Sequence, residues 1–85
     1  MDKMIISILS ALGLGINGVV SRNPNIYASR LGEFIRGFNI SLLTDNGTRV
    51  VFEISDKDKS YILSLELRGE KRSIKDMTLT ENNFL

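Results

Sequence analysis

Three stretches of this chain carry residues whose types and spacing could do chemistry. Gly13-Leu14-Gly15-Ile16-Asn17-Gly18 matches the G-x-G-x-x-G pattern that lets a backbone approach a pyrophosphate, and Glu33 lies where a ribose contact would fall. A dinucleotide fold needs a helix that starts inside the motif and a second, parallel strand. Asn23-Pro24 interrupts the first, and the pattern after Phe38 reads as antiparallel, so the glycines are expected to form a loop between helices. Asp56-Lys57-Asp58-Lys59 places carboxylates at the alternate spacing of a calcium loop. Two ligands beside two lysines are too few, and a solvated hairpin turn is expected there. Arg22, Arg30 and Arg36, with Arg68, Lys71, Arg72 and Lys75 around the last turn, could meet phosphates. Glu53, Glu66, Glu70 and Asp76 lie among the second group, which favours a salt-bridged surface over a nucleic-acid site.

What the chain lacks bounds its chemistry further. It contains no Cys, His or Trp. Disulfides, thiolate metal sites and Cys nucleophiles are therefore excluded, and the side chain that titrates near neutrality is missing. A catalytic Ser, Tyr or Lys would find no base to activate it, so neither catalysis, a cofactor nor a metal is expected. The net charge of +1 makes no polycation. With 42% hydrophobic and 25% charged residues the chain is too apolar for disorder, and 85 residues suit one domain spanning 1–85.

Residues 4–21 carry no charge, which raises the question of a membrane span. Gly13, Gly15, Asn17 and Gly18 break the stretch, and its apolar run ends near Leu14, short of the roughly 20 residues that cross a bilayer. A buried helix in a cytoplasmic protein is the expectation.

The elements that must position these residues follow from periodicity. Asp2 can cap a first helix over 3–12, with Ile5, Ile8, Leu9 and Leu12 on one stripe; Met4 and Ile6 make it apolar nearly all round. Asn23 and Pro24 then open a second helix over 24–36, whose stripe is Tyr27, Leu31, Phe34 and Ile35. From Phe38 the period becomes two, giving strands over 38–44, 48–55, 60–68 and 72–80. Matching apolar faces across an Asp45-Asn46-Gly47 loop pairs Leu42 with Val50 and Ile40 with Phe52, with Gly47 in a G1 bulge. A four-residue turn at 56–59 pairs Ile54 with Tyr61, Phe52 with Leu63 and Val50 with Leu65. A tight turn at Gly69-Glu70 pairs Leu65 with Ile74, and a bulge near Lys75 returns Met77 and Leu79 to the core. Ser73 and Asp76 also read as a capping box, but Thr78 and Thr80 favour a strand.

The expected fold is α+β: two N-terminal helices packed on one face of a four-stranded antiparallel β-meander. Residues 49–67 resemble the sheet portion of sterol-carrier-like domains in their alternation, a feature of any meander from which no function follows.

By elimination the chain reads as a non-enzymatic protein–protein interaction module: a regulator, adaptor or inhibitor, such as a phage or mobile element would carry. Its expected contacts are Leu43, Val51 and Ile62 on the outer sheet face, and Ile6 and Leu14 on the first helix, through which it would form a homodimer. The alternatives are a nucleic-acid binder using Arg22, Arg30, Arg36, Arg68, Lys71 and Arg72, and a carrier of a small apolar ligand between helices and sheet.

Overall fold

A computed structural model describes residues 18–35 and 37–82. It shows an α+β arrangement of one helix, α1 (Pro24–Phe34), and four strands, β1 (Asn39–Asp45), β2 (Arg49–Ser55), β3 (Ser60–Arg68) and β4 (Ser73–Glu81). The strands form one antiparallel meander in the order β1-β2-β3-β4. The helix expected over 3–12 lies outside the described residues.

Local chemistry starts and stops α1 as the sequence implies. Asn23 caps it by accepting a hydrogen bond from the Asn25 N–H at 3.2 Å, and Pro24 occupies the first turn, where a missing N–H costs nothing. The helix ends two residues before the expected Arg36, at Phe34; Ile35 caps it by donating to Leu31 O, and Gly37 follows at φ +90°. Ahead of α1, Gly18–Val20 joins the start of β4: Ile74 N–H donates to Gly18 O at 2.7 Å and Val20 N–H to Arg72 O at 3.0 Å.

Tyr27, Leu31 and Ile35 face Val50, Phe52, Ile54, Tyr61, Leu63 and Leu65, and Val20, Leu67, Ile74 and Leu79 extend the same core. Tyr27 stacks on Phe52 with ring centroids 5.6 Å apart, and burial pushes its hydroxyl pKa upward, so it stays neutral. Phe38, Ile40 and Leu42 are only partly buried, because β1 is an edge strand.

The β2–β3 register is the expected one, with Val50 opposite Leu65, Phe52 opposite Leu63 and Ile54 opposite Tyr61. The other two hairpins need correction. Ile40 pairs with Ile54 and Leu42 with Phe52, two residues away from the expected register, and Leu43 is the extra residue of a bulge before Thr44 meets Val51. The loop is the pair Gly47-Thr48. Asn46 N–H donates to Arg49 O, and the Asn46 side chain accepts from the N–H groups of Thr48 and Arg49. Gly47 at φ +91° thus opens a type II′ turn, and the bulge sits inside β1, away from the tip. Between β3 and β4 the turn is Gly69–Arg72, so Leu67 pairs with Ile74 and Leu65 with Met77. The bulge at Lys75 is present as expected, and 73–81 is a strand, with no helix. Leu67 continues the inward alternation of Tyr61, Leu63 and Leu65 and is buried opposite Ile74.

Gly47 is the test of the first turn. Gly47→Ala should destabilise by about 1 kcal/mol in urea melts, since a Cβ there meets no neighbour within 4 Å and the cost is purely the left-handed backbone. An unchanged midpoint would mean that the tip relaxes to another turn.

Candidate interaction surface

The helix covers one face of the sheet, and the opposite face is where the described side chains can meet something else. Strand alternation puts Asn39, Ser41, Arg49, Val51, Glu53, Ile62, Ser64, Glu66, Thr78 and Thr80 on that outer face; none of them is buried. The register makes two rows across it. In one, Leu43 and Thr44 share the position opposite Val51, which pairs with Ser64, which pairs with Thr78. In the next, Ser41, Glu53, Ile62 and Thr80 follow in order.

Leu43, Val51 and Ile62 therefore form a diagonal of apolar side chains through a field of hydroxyls. Val51 and Ile62 are diagonal cross-strand neighbours, close enough for side-chain contact. Leu43 is 52% exposed, and the bulge that makes it an extra residue turns it toward this face. Glu53, opposite Ile62, accepts a 3.0 Å hydrogen bond from the Ser60 hydroxyl, which fixes one charged border of the patch. The structure brings these three expected contact residues together, whereas Ile6 and Leu14 lie outside the described residues.

No protein-family model, curated protein or solved structure matches this chain.

The basic residues do not share one face. Arg22, Arg68, Lys71 and Arg72 gather at the sheet end where β3 turns into β4, Arg30 is on α1, and Arg36 lies outside the described residues. Arg72 is already engaged: its Nη atoms donate to both Asp45 carboxylate oxygens at 2.9 and 3.3 Å, and its Nε donates to Val20 O at 3.1 Å. Arg22, Gly47, Gly69, Glu70 and Arg72 line an open cleft of about 380 Å³ at this end. Arg72 is held by Asp45, and Glu70 on the rim adds a negative charge to the lining, so the cleft is not a purely cationic site.

The remaining motifs have local roles. The Asp56 carboxylate accepts from the N–H groups of Asp58 at 2.8 Å and Lys59 at 2.7 Å, which orders the β2–β3 turn and holds its pKa below the usual carboxylate value. Of the glycine motif only Gly18 is described, and its carbonyl serves β4. Among the described residues no cluster of three acids could hold a metal, and no helix is long and apolar enough to cross a membrane.

Proposed function

We propose that this chain is a small cytoplasmic interaction module without catalytic activity, acting as a regulator, adaptor or inhibitor through the outer face of its sheet. The observation that supports this reading is the Leu43, Val51, Ile62 diagonal, which keeps solvent exposure in the middle of a face otherwise made of Ser, Thr and a few charges. A partner that lays apolar side chains on the diagonal removes that area from water, at roughly 25 cal/mol per Å². The surrounding hydroxyls, which donate and accept, then satisfy the partner's polar groups at the rim. This face carries few charges, Arg49 against Glu53 and Glu66, which implies an association limited by shape more than by electrostatic steering.

The test is a double substitution, Val51→Lys with Ile62→Lys. Both side chains point away from the core, so the circular dichroism spectrum should be kept and the melting temperature should change little. A partner captured from native cells by the wild type should lose at least about tenfold in affinity for the variant, the equivalent of roughly 1.4 kcal/mol. Capture that is unaffected by both lysines would reject this face as the site.

A further inference from the structure

The two edges of the sheet differ in a way that has a consequence for assembly. At β4 the first residues are occupied by Gly18–Val20, Lys75 bulges out of the ladder, and Asp76 and Glu81 place charges along the rest. At β1 the stretch Asn39–Leu42 pairs regularly with β2, carries no Pro and no charge, and has no strand on its other side among the described residues. Sheets avoid edge-to-edge pairing with bulges, lysines, prolines or covering strands, and among the described residues this stretch has none of them.

We propose that β1 is the dimerisation edge of this protein, pairing antiparallel with β1 of a second copy about a twofold axis through Ile40. Two observations select a second copy as the occupant. First, Phe38-Asn39-Ile40-Ser41-Leu42 reads as the same pattern in both directions, with apolar residues facing inward and polar ones outward. Centring on Ile40 sets Phe38 against Leu42 of the partner subunit, Ile40 against the partner's Ile40, and Asn39 against Ser41 of the partner subunit. The polar and apolar faces both match, and the bulge at Leu43 stays outside the paired stretch.

Second, the inward residues have area left to bury. Phe38, Ile40 and Leu42 pack against the core yet remain partly exposed. The helix residue over Ile40 is Gly32, where an added Cβ would lie in van der Waals contact, 3.8 Å from Ile40 Cδ1; α1 reaches this rim with no side chain at that position, and Ile40 stays half-buried. On β4, in contrast, Leu79 is already buried and its edge would gain less. Pairing through β1 doubles the sheet and sets two copies of the Leu43 diagonal on one continuous face. The inference does not depend on that diagonal binding a partner, and the two tests read different quantities.

Because the chain has no cysteine, the register can be trapped chemically. Sedimentation equilibrium should show the wild-type mass rising from monomer toward dimer as concentration reaches about 500 μM, a range suited to a small interface. Ser41→Lys, an exposed edge substitution, should stay monomeric while keeping its circular dichroism spectrum, and Thr78→Lys on β4 should still dimerise. Mixing Asn39→Cys with Ser41→Cys under oxidation should give a covalent heterodimer, and neither variant alone should crosslink as readily. A wild type that is monomeric throughout, a dimer that survives Ser41→Lys, or one lost only with Thr78→Lys would overturn the proposal.

Discussion

Phe52→Ala is expected to lower the unfolding free energy by about 3 to 5 kcal/mol, most of what a domain of this size possesses. Phe52 is fully buried at the centre of the sheet, paired with Leu42 on one side and Leu63 on the other, with Tyr27 of α1 stacked on its ring. Truncation removes the transfer energy of the ring and leaves a cavity under α1. The β-strands around it cannot collapse inward without losing their ladders, so relaxation is limited. Tyr27 also loses its aromatic partner, a further contribution of roughly 0.5 to 1.5 kcal/mol. Urea melts followed at both the near-ultraviolet Tyr signal and the far-ultraviolet backbone signal would measure the effect. Val51→Ala, one residue away and facing outward, should cost under about 1 kcal/mol in the same experiment, since it leaves no internal cavity. If the two variants were equally stable, the assignment of faces in β2 would be wrong.

The contrast between Val51 and Phe52 was legible from alternation, and so was most of the inner face. The central hairpin came out in register because Asp56 and Lys59 leave only one turn length that keeps Ile54, Phe52 and Val50 opposite apolar residues. The outer hairpins resisted for a physical reason: each contains a bulge, and a bulge uncouples the turn from the far end of the strand. With Leu43 added to β1, apolar matching across the tip gave a self-consistent answer two residues away from the observed one. At β4 the pattern implies the bulge at Lys75 but not a four-residue turn ending in Arg72 at φ +57°, because Arg is a poor candidate for the left-handed region. The outer diagonal survived these errors, since a shift by two residues preserves which face a side chain occupies. Nothing in a linear pattern, however, connects Asp45 with Arg72.

That connection should carry the second large effect. Asp45 ends β1 and Arg72 precedes β4, the two edge strands, so their bidentate pair spans β2 and β3 and ties the two sides of the sheet at one end. Both side chains are largely shielded, at 18% and 12% exposure, and the Arg72 Nε bond to Val20 O adds the segment before α1 to the same knot. Asp45→Ala leaves the guanidinium with one carbonyl partner, and a loss of about 2 kcal/mol is expected for a shielded charged donor left unpaired.

Arg72 itself separates the pair from the strain. Arg72→Ala loses the pair and keeps the left-handed backbone, whereas Arg72→Gly loses the pair but relieves the backbone, so Gly should be the more stable of the two by roughly 1 kcal/mol. The side-chain hydrogen bonds from Arg72, aided by the Gly47 N–H, hold the Asp45 carboxyl below its ordinary value. A depressed folded-state pKa contributes stability that is complete above the unfolded carboxylate value of about 4 and is lost as pH falls through the lower folded one. Urea midpoints of the wild type should therefore drop on acidification below about pH 4. Asp45→Asn should show a shallower drop, with the part due to Asp56 remaining. Parallel acid profiles for the two proteins would show that the ion pair does not hold the sheet end together.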